Sequence, residues 1–302
     1  MGRVEFGLIL PENPLNPPSR HRYMEDLDRL LGLAEGHYAS AWCIDHLNGD
    51  VLEGWTAISY LAARHPGFVW GNTVLSQSFR NPALVARMGA TLHFLAGGKF
   101  VLGIGAGGQK TDHLACGYDF PRGGVRVAQL DEALRIIRAM WTEEQVTFEG
   151  EHYRVDGATC EPRPHPLPPI MVGAFGPEML RLTARHADWW NVSSTSIDGY
   201  RDLVREFERA CAETGRDPAT VRRVWSGGCV CAPTQAEVGR LRGDGATHQV
   251  GEDFVGTPAE VIEQMGSFIE LGVDYFLLDC GGFPQLTTIE MLIDEVMPAL
   301  NR

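Results

Sequence analysis

Lys99–Gly108, KFVLGIGAGG, is the stretch on which the reading of this chain turns. Phe100, Val101, Leu102 and Ile104 make an apolar run rich in β-formers, and glycine stands at 103, 105, 107 and 108. A buried strand that ends in glycines turns bare backbone N–H groups outward. An anion such as a phosphate approaches them closely because no side chain intervenes. Gly103-x-Gly105-x-x-Gly108 also spells a dinucleotide fingerprint, but that motif opens a helix in the first βα unit of a domain. Here it runs into QKTDHLACGYDFPRGG, which holds Pro121 and shows no helical stripe, and three strand-like runs precede it. We therefore set the fingerprint aside and read 109–125 as a long excursion. The remaining alternative is a glycine-rich loop that only turns the chain.

Upstream, Val4 to Leu10, Ala39 to Asp45 and Phe68 to Leu75 read as strands. Downstream, so do Ile170 to Val172, Trp189 to Val192, Val221 to Cys231 and Tyr275 to Asp279. Helical spacing falls between them: Tyr23 to Gly36, Trp55 to Ala63, Pro82 to Leu95, Val127 to Trp141, Pro177 to Ala187, Tyr200 to Thr214, Thr234 to Leu241, Pro258 to Leu271 and Thr287 to Leu300. Val146 to Val155 reads as a hairpin turning at Glu149-Gly150. Eight apolar strands without polar alternation are buried on both faces, as in a parallel sheet. Eight βα units in 302 residues predict a single α/β domain over residues 1–302. It is a (β/α)8 TIM barrel with insertions after strands 4 and 7.

Composition narrows the function classes. A net charge of −13 with only two lysines, Lys99 and Lys110, argues against nucleic acid and membrane surfaces as partners. No apolar run reaches the roughly 18 residues of a membrane span, and the N-terminus reads as a first strand, not a signal peptide. Seven scattered cysteines, an odd number, fit reduced thiols in the cytoplasm. Cys229 and Cys231 fall on one side of a strand and read as packing, with no further ligands near for a metal.

In a (β/α)8 barrel the chemistry lies at the C-terminal strand ends. The fourth end, Ala106-Gly107-Gly108, and the fifth, Ala174-Phe175-Gly176, are glycine-rich, and with Thr73 they suit one phosphate. The second strand ends in Asp45-His46, a ring that titrates near neutral pH beside a carboxylate. His46 is either a proton carrier or a cap on a loop or the next helix. His113, His152 and His165 lie in excursions and read as solvated, although Asp112-His113 also suits a lid. Trp189-Trp190 either walls a pocket or packs. The chain holds no Ser-centred elbow, no HExxH and no tightly spaced carboxylate pair.

Several stretches, in order and across nearly the whole chain, resemble the bacterial luciferase-like monooxygenase superfamily, within it the probable coenzyme F-420-dependent oxidoreductases. They include SAWCIDHL, GNTVLSQSFRNPALVARMGATLHFLAGGKFVLGIGAGG, LDEALRIIRAMWTEE with VTFEGEHYRV, PPIMVGAFGPEMLRLTARHADWWN, and VGTPAEVIEQM with ELGVDYFLL. The resemblance implies a flavin or 5-deazaflavin with its ring over the strand ends, backed by a non-prolyl cis peptide at Thr73–Val74. It places the phosphate on Thr73, Ala106, Gly107, Ala174, Phe175 and Gly176, and implies that His46 handles the substrate proton. Asp45 is then its orienter or a ring contact. Gly108 stands where the deazaflavin sugar-phosphate dehydrogenases carry a glutamate acid. Ala106 stands where the luciferases carry an arginine, and Phe175 replaces a small residue.

Two enzymatic readings follow: hydride transfer between coenzyme F-420 and a small-molecule substrate, or an FMN-dependent monooxygenase using oxygen. A third is a flavin-binding protein without turnover. The exposed barrel helices and the family habit point to a homodimer or larger assembly. The loops at 12–22, 109–125, 193–199 and 243–255 carry no residues that name a substrate.

Overall fold

The structure, a computed structural model, describes residues 3–11, 20–243 and 253–301; the sequence readings at 12–19 and 244–252 lie outside these. Its strands are β1 (Glu5–Ile9), β2 (Ser40–Cys43), β3 (Val69–Asn72), β4 (Leu75–Ser76), β5 (Phe100–Gly105), β6 (Val146–Glu149), β7 (Arg154–Ala158), β8 (Ile170–Gly173), β9 (Trp189–Ser193), β10 (Arg222–Cys231), β11 (Phe254–Gly256) and β12 (Tyr275–Cys280). The helices are α1 (Tyr23–Ala34), α2 (Gly54–Arg64), α3 (Pro82–Leu95), α4 (Lys110–Ala115), α5 (Gly123–Thr142), α6 (Pro177–His186), α7 (Ile197–Thr214), α8 (Gln235–Gly243), α9 (Pro258–Glu270), α10 (Thr287–Met291) and α11 (Met297–Leu300).

Every pairing in the main sheet is parallel, in the order β10-β12-β1-β2-β3-β5-β8-β9, and β9 pairs back to β10. The sheet is thus a closed cylinder of eight strands, with β4 continuing β3's side against β5 and β11 added to the end of β10. This is the (β/α)8 barrel that the alternation of strands and helices predicts. α4, α5 and the antiparallel β6–β7 hairpin lie between β5 and β8, and α8, β11 and α9 between β10 and β12.

Period-two alternation sorts each strand between two cores. Phe6, Leu8, Leu102, Trp225, Phe276 and Leu278 face outward into one large core under the helices. Ile9, Trp42, Val101, Met171, Val224, Tyr275 and Leu277 fill the cylinder. Trp42 fits only because Gly7 and Gly71 have no side chain: a Cβ at either would run into its indole. The Trp42 indole N–H donates to Ser40 Oγ (2.5 Å), which lies 2.5 Å from Tyr275 Oη. Trp189 packs on Tyr275 at 5.1 Å, and the Arg222 guanidinium covers both rings while pairing with Glu5 and Asp274. Glu5, Ser40, Trp189, Arg222 and Tyr275 are the first residues of their strands, and the Trp42 indole turns back onto Ser40, so together they stopper the N-terminal end of the cylinder.

The structure decides or refines three readings of the sequence. Trp189 belongs to that stopper, and Trp190 stacks on Phe207 (4.4 Å) in the outer core, so neither walls a pocket at the rim. The excursion 109–125 holds the six-residue α4, too short to show a stripe, and α5 begins at Gly123, four residues before the start read at Val127. The last helix has a wide turn over Leu292–Val296, where Pro298 offers no N–H to the carbonyl four residues back.

One carboxylate fixes the β6–β7 hairpin to the barrel. Glu132 of α5 is buried and accepts from the amides of Glu151 (2.7 Å), His152 (3.0 Å) and Tyr153 (2.9 Å). Burial alone would raise its pKa. The three amides outweigh that and hold it below its ordinary 4.5. Since the folded value lies below the unfolded one, this contribution is complete above about pH 4.5 and is lost as the pH falls through the folded value. Glu132→Gln should therefore cost about 1–3 kcal/mol at pH 7. It should also flatten the acid limb of stability, measured by urea denaturation between pH 3 and pH 7. A variant with an unaltered acid limb would remove Glu132 as its source.

Candidate active site at the strand C-termini

At the opposite end the interior is lined by small residues. Thr73–Val74 is a cis peptide between β3 and β4, at the bond the resemblance implied. The Val74 side chain enters the barrel mouth. A Cβ at Gly105 would stand 2.9 Å from its Cγ2, and one at Gly173 3.2 Å. Those two glycines are therefore the space Val74 occupies, and Val74 forms a raised floor on the inner core. Beside it Asn191 and Ser226 are buried and bonded to each other (Nδ2 to Oγ, 3.0 Å).

The glycine-rich ends lie on this rim. The amides of Gly107, Gly108, Phe175 and Gly176 donate to no acceptor among the described residues. Gly107 has φ +81°, a left-handed conformation that favours glycine, and a Cβ there would run into Ser76 and Ser78 and press on His113. At Gly108 and Gly176 a Cβ would meet nothing within 4 Å. Gly176 caps α6 without a side-chain bond, and Pro177 follows, so the positive end of that helix is open. Two predicted contacts contribute differently. The Ala174 amide is spent on Asn191 O (3.1 Å) and the Thr73 amide on Cys43 O (3.0 Å), which leaves Thr73 its hydroxyl. Ala106 is half-buried at the end of β5, and Phe175 is 47% exposed.

Asp45 and His46 are neighbours in sequence that engage different elements. The Asp45 carboxylate is fully buried. It accepts the Ser76 amide (2.9 Å) and both Arg80 terminal nitrogens (2.9 and 2.8 Å). Arg80 reaches on to Glu53 (2.6 Å), whose carboxylate caps α2 through the amides of Trp55 and Thr56. This relay binds the end of β2 to the segment that follows the cis peptide. His46, partly exposed, places Nδ1 3.0 Å from Asp112 Oδ2. Asp112 comes from α4, 66 residues away, and also accepts the Leu47 amide at 3.0 Å.

Sequence reading missed Arg80 and Ser76, and it named Asp112 only for a lid, not as a partner of His46. No local spacing marks them, since each acts on a residue more than thirty positions distant or by its backbone alone. His113, read as solvated, is instead completely buried. It sits among Phe79 (4.5 Å), Phe120 (4.9 Å) and Tyr118, with Nε2 2.7 Å from Ser78 Oγ and Nδ1 2.7 Å from Gln109 O. Its place beside Phe79 and Ser78 welds α4 to the rim. His152 is half-buried and His165 exposed.

The comparisons agree with this geometry. A family model described as luciferase-like monooxygenase matches residues 4–250. An F420-dependent glucose-6-phosphate dehydrogenase of Intrasporangium calvum is 30% identical over 281 residues, covering 81% of this chain and 84% of that one. Among solved structures, an F420-dependent secondary alcohol dehydrogenase in complex with an F420-acetone adduct superposes with TM-score 0.81 at 18% identity, over the whole of both chains. The EDTA monooxygenase of Chelativorans sp. BNC1 superposes with TM-score 0.83 at 16% identity, over 99% of this chain and 94% of that one. At these identities the two superpositions speak to the fold, which dehydrogenases and monooxygenases share.

The relay makes a sharp prediction. Removing one partner of a buried ion pair leaves the other charge uncompensated. Arg80→Met should lower the free energy of unfolding by about 3–5 kcal/mol in urea titrations. A loss below about 1 kcal/mol, the scale of an exposed pair, would mean that water reaches Asp45.

Proposed function

The chain belongs to the luciferase-like monooxygenase family, and we propose that it is an oxidoreductase that uses coenzyme F420 to pass hydride to or from a small organic substrate. The observation that carries this is the rim itself: four unspent amides and the open end of α6 beside a raised floor at Val74. A phosphorylated ring cofactor needs that combination, an anion cradle next to a flat apolar seat. Gly107, Gly108, Phe175 and Gly176 supply amides, Thr73 its hydroxyl, and Ala106 and Ala174 the wall. Asp45 contributes by fixing Ser76, and so the turn that presents Val74. F420 supplies two-electron hydride chemistry when bound. The relatives of higher identity, such as the Intrasporangium enzyme, are named for F420, which favours it over FMN with oxygen.

The protein's own part is orientation, exclusion of water and one proton. His46 lies at the end of β2, partly open to the mouth, with Nδ1 held by Asp112. We assign its Nε2 the proton that leaves an alcohol as hydride departs, or that reaches a carbonyl as hydride arrives. Gly108 brings no acid to the rim, so a second proton carrier is not required of that position. Seven unpaired thiols support a reducing, cytoplasmic setting. Among the described residues no helix is long and apolar enough to cross a membrane. Tyr60, Leu84, Phe94 and Leu95, exposed on α2 and α3, support a homodimer.

The test is fluorescence titration with F420 and with FMN. F420 should quench tightly and FMN weakly; the reverse order would favour the oxygen-dependent reading. Gly176→Asp places a negative charge where a Cβ meets nothing, so the melting temperature should hold while F420 affinity falls at least about tenfold, as one like charge at a helix N-terminus predicts. His46→Ala should bind F420 as before and lose at least about a hundredfold in turnover, the scale of a lost acid–base group. Undiminished turnover would take His46 out of the mechanism, and turnover lost only in step with cofactor binding would make it a binding residue.

A further inference from the structure

Gly107 turns over a short hydrogen-bonded chain. Ser76 Oγ lies 2.9 Å from Ser78 Oγ, Ser78 Oγ 2.7 Å from His113 Nε2, and His113 Nδ1 2.7 Å from Gln109 O. His113 is completely buried and both serines are half-buried. The direction of every bond follows from the far end. A carbonyl oxygen only accepts, so the proton of the neutral ring sits on Nδ1. Nε2 then only accepts, and Ser78 donates to it. With its hydrogen so committed, Ser78 receives the hydrogen of Ser76. The Ser76 end of the chain lies at the anion cradle. Its amide is held by Asp45 at 2.9 Å, and it pairs in the sheet with Gly105, two residues before Gly107. A Cβ at Gly107 would stand 2.4 Å from Ser76 Oγ. One C–C bond adds about 1.5 Å, so Ser76 Oγ is within about 4 Å of the Gly107 α-carbon. One anion held by the Gly107 amide reaches that far, with hydrogen bonds of about 2.7–3.0 Å on each side.

We propose that Ser76 is a further phosphate ligand of the cradle: its hydroxyl leaves Ser78 and donates to the phosphate, while Ser78 and His113 are the positioning residues that make it the one hydroxyl of the chain free to do so. The inference rests on the reading of the rim as the seat of a phosphorylated ring cofactor. The Ser76 hydrogen has one acceptor before and after the move. Before, that acceptor is a neutral hydroxyl; afterwards it is an anionic oxygen, and a bond to a charged acceptor is roughly twice as strong. Ser78 gives up a bond that it accepts and keeps the one that it donates. The Ser78 hydrogen cannot make the same move. Leaving Nε2 would strand a ring acceptor between Phe79, 4.5 Å away, and Phe120, 4.9 Å away, where no surface of the histidine is exposed. A hydroxyl turns about a single bond, so the change needs no movement of the main chain, which Asp45 and Gly105 fix at residue 76. Ala106, the neighbour of Gly107 in sequence, brings no hydroxyl of its own. Ser76 thus reaches the cradle from another strand and supplies one.

Ligands with and without the phosphate provide the test. F420 and its dephosphorylated fragment, the same ring and ribityl chain without the phosphate and its tail, are titrated by fluorescence into the unaltered protein and into Ser76→Ala. The variant keeps the amide that Asp45 holds, so its melting temperature should stay. F420 affinity should fall about tenfold, the scale of one hydrogen bond to a charged group, and affinity for the fragment should hold within about twofold. Equal losses for both ligands, or none for either, overturn the proposal and leave the cofactor reading standing. Where FMN binds and F420 does not, the F420 assignment fails, and the same comparison of FMN with riboflavin decides the role of Ser76. Binding of neither phosphorylated ring overturns both readings. Should Ser76→Ala not fold, the unaltered protein decides. Long-range 1H–15N spectra of histidine-labelled protein, with His113 assigned by backbone connectivity, should show a proton on Nδ1 and none on Nε2. A proton on Nε2 overturns the proposal, because it would release the Ser78 hydrogen and reverse the chain.

Discussion

The Asp45 carboxylate, with no exposed surface and three hydrogen bonds, is the constraint from which the rim takes its shape. A buried charge must be matched, and here the match is made by a guanidinium on the segment after β4 and by a backbone amide within it. Because Arg80 also grips Glu53, the entry to α2, the turn after β3 and the end of β2 are one hydrogen-bonded piece. Val74 projects from the turn so held. Val74 is thus located by a charge that has no exposed surface of its own.

Much of the architecture was legible in the sequence because it rests on local properties. Strands buried on both faces show as unbroken apolar runs, and Pro82 and Pro177 mark helix starts where the structure has them. The glycines of the fourth and fifth strand ends were legible as well, though for one reason more than sequence can reveal. Gly107 and Gly108 face the rim, while Gly105 on the next strand and Gly173 on the one beyond are hollows for Val74. Only packing separates these roles.

The contacts within the site were less legible. Asp45 beside His46 invites the assumption that adjacent residues cooperate, but successive residues at a strand end leave in different directions. The ring's partner came from residue 112, inside a stretch whose short helix lacks the length to show a pattern. His113 was misread for the same reason. A histidine in an irregular segment has no periodicity by which to judge its burial, and the four aromatic or polar groups that enclose it are supplied by tertiary structure.

The indole and tyrosine stopper at the far end gives the cylinder the topology of a cup. Trp42, Trp189 and Tyr275 fill the bore and Arg222 bolts the base, so molecules have no through-route along the axis. Anything resting on Val74 lies at the bottom of that cup, and a second guest sharing it sits on top. Traffic in such a vessel is last in, first out: the upper guest must depart before the lower one can be exchanged.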